Sequence, residues 1–393
     1  MNCYIIRLLF FLHLNMIVAS VLQSAATRIA YIDAFATARG NAFTATANNP
    51  SAVFYNGAGL TQLEGTQIHG NLFNISLDYS AKSNSAKDDL DDKWQSVPSL
   101  FVSHHIANSP LTIGFGVYSP FALGAEWSSD ADIALDPPVP YEANLVYSKY
   151  HAVVAWKVTN ELSLSSGLSY DYTDIEVKSN ALEYEGNDST LGFSIAALWQ
   201  PSPQHSFGLN YQAKTEVTYD GTSTIVNIGK YKSKSDFTYP ESIIFGYSYR
   251  PNQKWNIELN VDWTNWDRVD DLVIKGLPGS FGAAPSYELQ WNSSFIWELG
   301  ATRYLKGGWI ISAGYTFIEN AVPEKTLLPI VPDSDRHAFS IGFGRDRGQM
   351  YWQVTCQYIY AIDREINNNV YESVNGDYEL DSYGAAFSVG YRF

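Results

Sequence analysis

Polar and apolar residues alternate with a period of two along most of this chain. Successive side chains of a β-strand point to opposite faces, so each alternating segment predicts a strand. From Thr66 onward we identify fourteen such segments. They are 66–79, 95–106, 110–118, 145–158, 161–177, 190–200, 205–218, 237–250, 254–266, 287–304, 308–318, 335–345, 349–362 and 380–393.

The connections between these predicted strands alternate strictly in length. Those after even-numbered strands contain 2 to 4 residues, as at Thr159-Asn160, and those after odd-numbered strands contain 12 to 26. All tight turns then lie at one end of the sheet and all long loops at the other. Bacterial outer-membrane barrels have this plan, with the turns in the periplasm and the loops outside. The predicted fold is therefore all-β, a 14-stranded antiparallel transmembrane β-barrel.

The alternation also predicts which face meets lipid. In the predicted strand 254–266 the residues run Trp255, Asn256, Ile257, Glu258, Leu259, Asn260, Val261, Asp262, Trp263. A charged group at the bilayer midplane costs up to about 2–4 kcal/mol, less for Asp and Glu, so the polar set should face the lumen. The last strand, 380–393, alternates in the same way and ends on Phe393, as an outer-membrane assembly signal does.

A soluble all-β protein could show the same alternation with its apolar face inward. Fourteen strands in one meander would then expose two edges unless the sheet closed. A closed soluble barrel of this width would enclose an apolar cavity too large for side chains to fill. The membrane interpretation has neither difficulty.

Composition supports the barrel and excludes one class of partner. The 27 Tyr, 20 Phe and 11 Trp make 15% of the chain, as interfacial aromatic girdles require. The net charge of −16 excludes nucleic-acid binding, which depends on clustered Lys and Arg. Acidic residues concentrate in long loops, as at Asp88–Asp92. They are expected to be solvated loop tips or, alternatively, sites where divalent ions bridge to lipopolysaccharide, an expected partner beside outer-membrane lipid.

Residues 1–26 are predicted to be an export signal. Arg7 precedes the mostly apolar run Leu8–Val21, and Ser24-Ala25-Ala26 offers a cleavage site, with Val18-Ala19-Ser20 as an alternative. A membrane-anchoring helix is the other interpretation, but the run is shorter than the ~20 apolar residues that a span needs. Export and the barrel pattern together predict an outer-membrane location. Cys356 is the one cysteine beyond the signal, so no disulfide is expected.

Residues 27–65 lack the two-residue period. They are rich in Ala and Gly, with helical spacing of Ile29, Ile32 and Phe35, and then rich in Asn, Pro and Gly. A lumen of fourteen strands stays open unless something fills it. We therefore predict a small helical hatch at 27–65 inside a barrel at 66–393; a periplasmic tail is the alternative.

Several segments resemble one family. Ala47–Leu60, with Asn48-Asn49-Pro50-Ser51-Ala52 and Asn56-Gly57-Ala58-Gly59-Leu60, resembles the hatch signature of FadL-type outer-membrane transporters (OMPP1/FadL/TodX). The family usually has Pro where this chain has Gly57. Tyr239–Ser242, Val261–Trp266 and Pro323–Phe343 are similar to later stretches of the family, in the same order.

The resemblance implies passive import of hydrophobic molecules such as long-chain fatty acids or aromatic hydrocarbons. In that family the ligand is captured at an apolar groove among the outer loops and passed to a lumen site beside the hatch. It is released after a hatch rearrangement, with a sideways exit through a gap at a kinked strand. The implied protein is not an enzyme, is expected to be monomeric and needs no cofactor or metal.

Three groups of residues become candidates on this basis. The loop 119–144 would supply the capture groove, although ordinary packing of a long loop explains its apolar residues equally well. The groove candidates are Phe121, Leu123, Trp127, Ile133 and Leu135. The hatch candidates are Asn49, Pro50, Phe54, Asn56, Gly57 and Leu60. Gly114 and Gly116 would supply the kink for lateral exit, since Gly weakens strand pairing.

Two other functions fit a barrel. A general diffusion porin needs no plug and carries a charged constriction. A barrel hydrolase needs Ser, His and an acidic or amide residue in one place. No Gly-x-Ser-x-Gly motif occurs, and the adjacent His104 and His105 should face opposite sides of their strand. An adhesin or secretion pore has no supporting repeat or passenger domain.

Overall fold

The computed structural model describes residues 26–83, 86–91, 94–136, 138–278 and 286–393. The predicted export signal, apart from Ala26, lies outside the described residues, as does Asp92. Within these ranges no helix is long and apolar enough to cross a membrane. In the described part of the chain, regular structure consists of twenty-one strands, two short α-helices and several 3₁₀ turns.

The strands, numbered in chain order, are β1 Thr66–Lys82, β2 Lys87–Asp89, β3 Trp94–His105, β4 Leu111–Tyr118, β5 Ala122–Glu126, β6 Pro140–Lys157, β7 Leu162–Ser179, β8 Leu182–Ser202, β9 His205–Gln212, β10 Thr215–Ile225, β11 Gly229–Tyr239, β12 Ser242–Asn252, β13 Trp255–Thr264, β14 Asp271–Val273, β15 Ser286–Glu288, β16 Ser294–Tyr304, β17 Trp309–Ile318, β18 Arg336–Arg347, β19 Met350–Ala361, β20 Arg364–Ile366 and β21 Gly376–Arg392. The helices are α1 Ala34–Thr37 and α2 Ala52–Tyr55. The 3₁₀ turns are Gly57–Gln62, Asp132–Ala134, Trp266–Arg268, Lys306–Gly308, Glu324–Thr326 and Glu372–Val374.

Fourteen of the strands pair antiparallel in a closed ring. The order is β1, β3, β4, β6, β7, β8, β9, β12, β13, β16, β17, β18, β19, β21 and back to β1. The last strand pairs with the first from Gln67↔Arg392 to Lys82↔Asp377, which closes the wall. The predicted 14-stranded antiparallel barrel is confirmed, and each of the fourteen predicted segments overlaps one ring strand.

The two faces of the wall agree with the predicted alternation. On β13 the side chains of Asn256, Glu258 and Asn260 are fully buried in the lumen, whereas Ile257 and Leu259 are exposed on the outside. Outward-facing aromatic and aliphatic side chains recur around the ring. A polar lumen face and an apolar outer face are what a wall that separates lipid from an aqueous or protein-filled bore requires.

Two of the predicted long loops are largely strand. β7 and β8 are joined by Asn180-Ala181 alone, and β10 and β11 by residues 226–228. Both hairpins continue past the predicted strand ends. Their outward face is polar there, whereas buried apolar residues such as Tyr184, Tyr219 and Ile225 alternate with small polar residues on the inner face. The sequence pattern underestimates these strands because the outward face loses its apolar residues, although the backbone pairing continues.

The segment 26–63 fills the bore, and we call it the plug. Apart from Phe35 and Asn48, every residue from Ala26 to Leu60 is buried. The plug contacts the inner face of all fourteen ring strands, through wall residues that include Asn71, Ser99, Gly114, Val153, Ser163, Ala197, Ser206, Ser248, Glu258, Gly300, Thr316, Gly342, Thr355 and Ser388. Contacts on every side of the ring place this segment inside the barrel.

Glycines on the inner wall make room for the plug backbone. A Cβ at Gly300 or Gly314 would overlap the backbone of Arg39, and one at Gly314 would also overlap Gly40. A Cβ at Gly208 would overlap the carbonyl of Thr44. Because these wall glycines have no side chain, the backbone of the plug packs against the backbone of the wall at van der Waals distance.

Gly314→Leu should therefore displace the plug without preventing barrel assembly. Overpacking costs roughly 1–3 kcal/mol at a tight site, and the plug can give way more readily than the hydrogen-bonded wall. The variant should show frequent or steady open current in planar bilayers, whereas the wild type should be almost silent. The matched control is Gly70→Leu on β1, where an added Cβ would have no neighbouring atom closer than 4.0 Å. A silent Gly314→Leu barrel would contradict this account of the plug.

Candidate functional site

An apolar pocket lies at the end of the lumen that carries the long connections. The space between its lining atoms, part of which is open to solvent, is about 510 Å³. The plug, β5 to β7, β11, β14 and the later loops all contribute to its wall. The lining residues are Thr27, Leu123, Leu145, Ile175, Val177, Phe237, Tyr239, Leu272, Leu289, Trp291, Leu328, Ile330 and Val331. None of these side chains carries a charge.

The five predicted groove residues occupy different positions relative to this pocket. Leu123 lines it, and Phe121 lies directly beside it against Tyr239. The side chains of Trp127 and Ile133 are buried in loop packing, and the indole of Trp127 donates to the Pro329 carbonyl at 2.9 Å. Leu135 is exposed. The structure thus brings two of the five to the pocket, and their part in ligand capture stays a prediction.

Most of the pocket was missed by sequence reasoning. Leu289 and Trp291 fall at the start of a predicted strand, and Leu328, Ile330 and Val331 in a loop noted only for its resemblance. The sequence feature that could have identified these pocket residues is the presence of large apolar residues in loops that are otherwise polar. Which loops converge depends on the closed ring, which no local pattern specifies.

A kink in the wall lies beside the pocket. β4 ends at Tyr118 and β5 begins at Ala122, so Ser119, Pro120 and Phe121 interrupt the strand. β3 pairs with β4 only from Leu100↔Val117 onward, and β5 pairs with β6 alone. Residues 95–99 of β3 therefore pair with neither β4 nor β5, which leaves a gap in the wall on this side.

The kink is not at the predicted glycines. β4 pairs with β6 without a break from Leu111 to Tyr118, and Gly114 and Gly116 lie within that regular stretch. A Cβ at Gly114 would collide with plug residues Leu60 and Val53, and one at Gly116 would collide with Phe101 of β3 and lie 3.1 Å from Val53. These glycines make space for the plug. Pro120, which cannot donate to a sheet ladder, lies at the actual break.

The start of the plug pairs with the kinked segment. Arg28 and Phe121 form an antiparallel bridge; the amide of Ile29 donates to the Pro120 carbonyl at 2.8 Å and that of Ala122 to the Thr27 carbonyl at 2.9 Å. We call residues 26–33 the arm. The arm therefore satisfies backbone groups that the interruption leaves without a strand partner.

An aromatic cluster lies beside the pocket and shares Tyr239 with its lining. The ring of Phe121 lies 5.4 Å from that of Tyr147, 4.9 Å from Tyr239 and 6.0 Å from Trp266, measured between centroids. The hydroxyls of Tyr219 and Tyr239 are 2.6 Å apart. All of these side chains are buried, so the floor of the pocket consists of closely packed rings.

Asp33 fixes the arm to the plug and the wall. Its carboxylate accepts hydrogen bonds from Asn49 Nδ2 at 2.6 Å, Ser51 Oγ at 2.6 Å and the Phe35 amide at 2.7 Å, and it lies 3.4 Å from His69 Nε2 of β1. Burial alone would raise the pKa of the Asp33 carboxyl. The charge and hydrogen bond of His69, with the bonds from Ser51 and Asn49, outweigh burial and hold this pKa well below its usual range.

A second anchor joins the middle of the plug to β13. Glu258 accepts from Arg39 Nη2 at 3.2 Å, from the Ala45 amide at 2.7 Å and from the Thr46 hydroxyl. Asn260 donates to the Asn41 carbonyl at 3.3 Å. Each of the Glu258, Arg39 and Asn260 side chains therefore has at least one buried partner, although Nε and Nη1 of Arg39 and Oδ1 of Asn260 have none among the described residues.

The arm itself is anchored by Arg28. Its guanidinium lies 2.6 Å from Asp262 and donates to the Thr264 hydroxyl at 2.7 Å, both on β13. The polar face of β13, predicted to point into the lumen, therefore serves as the main docking surface of the plug.

The predicted hatch residues shape the plug. The side chain of Asn49 accepts a hydrogen bond from the Ser51 amide at 2.8 Å, across the turn that contains Pro50. The side chain of Asn56 accepts from the Ala58 amide at 3.1 Å and donates to the Thr44 carbonyl at 2.8 Å. A Cβ at Gly57 would lie 2.7 Å from Ser165 Oγ of β7. Gly at this position, where the family usually has Pro, therefore lets the plug approach the wall.

Phe54 and Leu60 are the apolar members of that group. The ring of Phe54 lies 5.2 Å from that of Tyr118, and its carbonyl accepts from Asn210 at 3.1 Å. Leu60 is fully buried against Gly114. Both side chains fix the plug to the same strand that ends at the kink.

A crevice opens between the plug and the wall at the end with the tight turns. It contains about 530 Å³ of free space, and Asn49, His69, Tyr351 and Ser388 are among its lining residues. The Asp33 anchor thus lies directly behind this crevice. Movement of the first part of the plug would join the crevice to the lumen.

The described residues offer little of the side-chain chemistry that a barrel enzyme needs. The part of the chain that the structure describes has no group of three or more His, Cys, Asp or Glu residues that could hold a metal ion. His151 lies 2.9 Å from Ser194 Oγ and 2.9 Å from the Tyr118 hydroxyl. A Tyr hydroxyl cannot balance an imidazolium as the carboxylate of a catalytic triad does. The three buried groups are better explained as mutual hydrogen-bond partners in the wall.

Asp33→Asn should loosen the first part of the plug by roughly 1.5–3 kcal/mol, because a neutral amide cannot accept all of the buried hydrogen bonds that the carboxylate accepts from Asn49, Ser51 and the Phe35 amide. Hydrogen exchange of residues 33–51 should report the change. Since the folded pKa of Asp33 is depressed, its stabilisation is present above the unfolded pKa of about 3.9 and is lost only as the pH falls through the lower folded value. Wild-type protection should therefore stay constant from about pH 6 to about pH 4.5.

The matched control is Asp346→Asn, which breaks a partly exposed ion pair with Arg392 beside the same crevice. It should change protection little, because exposed pairs contribute little. Equal protection of Asp33→Asn and wild type would show that Asp33 does not anchor the arm.

Comparison with known proteins identifies this architecture. The family model described as outer membrane protein transport protein (OMPP1/FadL/TodX) matches residues 15–393. A putative outer membrane protein of Neisseria meningitidis serogroup B is 23% identical, over 89% of this chain and 88% of that protein. Outer membrane protein P1 of Haemophilus influenzae is 22% identical, over 63% of this chain and 61% of that protein.

Solved structures agree in fold. A FadL homologue of Pseudomonas aeruginosa superimposes with a TM-score of 0.84 at 14% identity, and the toluene transporter TodX of Pseudomonas putida with 0.75 at 12%. Each alignment covers 94% of this chain and 100% of the other. At such identities the structures establish the barrel alone. The family model spans nearly the whole chain, and the protein therefore belongs to the OMPP1/FadL/TodX family of outer-membrane transport proteins.

Proposed function

We propose that this protein takes up hydrophobic small molecules passively across the outer membrane. The observation that carries the proposal is the wholly uncharged pocket at the outer end of a plugged, polar-walled barrel. An apolar solute crosses the polar lipopolysaccharide layer poorly, and a shielded apolar site there lowers that barrier. Membership of a family of hydrophobic-compound channels supports the same class of cargo.

The route begins at the pocket and passes the arm. A molecule bound against Leu123 and Tyr239 touches Thr27, which is hydrogen-bonded to the kinked segment. Displacement of the arm opens the aromatic floor and exposes the gap between β3 and β5. Release is then sideways through this gap, or past the plug into the crevice beside His69. Consumption of the cargo inside the cell maintains the gradient, so no energy source is needed.

The plug argues against a general porin. Wall contacts on all fourteen strands leave no wide aqueous path in this state, whereas a porin needs a permanent channel. The polar lumen face is occupied by plug partners instead of lining water. Single-channel recording separates the two functions, since a steady large current from the wild type would support the porin.

A Trp at position 145 should block uptake by filling the pocket. Leu145 of β6 is buried in the pocket wall, and an indole there would take the space of the cargo. Uptake of a labelled hydrophobic compound by cells should fall at least about tenfold, as expected when bulk is forced into a site that has no room for it.

Val154→Trp is the matched control, because Val154 lies on the same strand but is half exposed on the lipid face. Both variants should reach the outer membrane in equal amounts and keep the mobility of a folded barrel in gels. Uptake that is unchanged in Leu145→Trp would exclude the pocket from the route.

A further inference from the structure

We propose that the preferred cargo is an uncharged hydrophobic molecule with one hydrogen-bond acceptor, such as an ester, ketone or ether, bound through Thr27 and Trp291. The inference rests on the uptake function proposed above and specifies its substrate class. It separates this class from two alternatives, a carboxylate-bearing fatty acid and a hydrocarbon without polar atoms.

Two polar atoms of the pocket lining are unsatisfied. The hydroxyl of Thr27 and the indole nitrogen of Trp291 are buried and have no hydrogen-bond partner among the described residues. Tyr239, the third lining residue with a side-chain polar atom, is satisfied by Tyr219 at 2.6 Å. Other buried polar atoms of the wall and the plug also lack a partner, but among the residues that line this pocket Thr27 and Trp291 are the two concerned, and a ligand bound here is the partner that the pocket can supply.

The orphans also define the chemistry of the missing partner. An indole N–H is a donor only, and a Thr hydroxyl donates as well as accepts. A ligand that satisfies both must therefore carry an acceptor oxygen. A pure hydrocarbon would leave both groups desolvated and unpaired, which penalises binding.

A carboxylate would lack a counter-ion in this pocket. The nearest cation along the chain, Arg28, is held by Asp262 at 2.6 Å and by Thr264. The Ala26 nitrogen donates to buried Asp333 at 3.0 Å, so the ionisable side chain at this end of the arm is itself an acid. A buried carboxylate without a paired cation is strongly disfavoured. The charge distribution therefore selects against the ionised acid.

Binding of three matched probes tests the proposal. Radiolabelled methyl laurate, laurate and dodecane have similar apolar chains and differ in the polar group. Retention of each by the purified full-length barrel in detergent micelles should be measured at about pH 7.5, where the acid is ionised. We expect methyl laurate to bind at least several-fold more tightly than either of the other two.

Variants of Thr27 and Trp291 test whether these two side chains hydrogen-bond the ligand. Thr27→Val and Trp291→Phe should each weaken methyl laurate binding roughly 2- to 10-fold, as loss of one neutral hydrogen bond predicts. Dodecane binding should stay the same or improve. Thr27→Ser keeps the hydroxyl and should retain wild-type preference for the ester. Trp156→Phe, on the lipid face, controls for loss of an exposed indole.

The outcomes separate the proposal from the function on which it rests. Laurate binding tighter than the ester, or dodecane binding equal to the ester, would overturn the substrate class while leaving hydrophobic uptake intact. An unchanged ester preference in both Thr27→Val and Trp291→Phe would overturn the assigned contacts. No binding of any probe would overturn hydrophobic uptake itself, and the substrate class with it.

Discussion

The structure depends on one constraint, the pairing of every wall strand with two neighbours. In hydrocarbon an unpaired backbone amide has no water to bind, so a lipid-exposed sheet must close. The pairing of β1 with β21 provides that closure. Once the ring is closed, the alternation of side chains assigns apolar residues to lipid and polar residues to the bore. The polar bore in turn requires partners, and the plug supplies them.

The plug is ordered by the wall more than by its own helices. α1 and α2 contain four residues each, far below the length at which isolated helices are stable. Their order comes from burial and from buried bonds to wall residues such as Glu258 and Ser388. An element that depends on external contacts can be released in parts, because each anchor can break without unfolding the barrel. That property suits a segment that must block a bore and yet yield to a cargo.

The barrel could be read from the sequence because its rules are local. Period-two alternation, turn lengths and the polar face of β13 each involve residues close together in the chain. The long hairpins were underestimated, since outside the bilayer the outward face need not be apolar. The kink was assigned to Gly114 and Gly116, but these serve the plug, and the interruption occurs at Pro120. A glycine in a strand can mark a kink or make space for the plug, and it weakens pairing in both situations. Only the residues that face it across the bore distinguish the two roles.

The pocket could not be read in the same way. Its lining comes from the arm, from the five strands β5, β6, β7, β11 and β14, and from the loops at 289–291 and 328–331, and their meeting is a property of ring closure. Trp127 illustrates the ambiguity. A large apolar residue in an outer loop is equally suited to line a groove or to fill loop packing, and its bond to the Pro329 carbonyl places it in the second role.

The pocket is linked to the arm through Thr27, and to the opening in the wall through a few bonds between the arm and the kinked segment. Thr27 lines the pocket with its side chain and accepts from Ala122 with its carbonyl, while Leu123, the next residue, lines the same pocket. Any ligand that shifts Thr27 must therefore stretch or break the pairing of the arm with the kinked segment. Two backbone hydrogen bonds contribute on the order of 1–3 kcal/mol. A coupling of that size is within reach of a small apolar ligand, but it loosens only the pairing with the kinked segment, because the arm is also held by Arg28 on Asp262 and by the Ala26 nitrogen on Asp333.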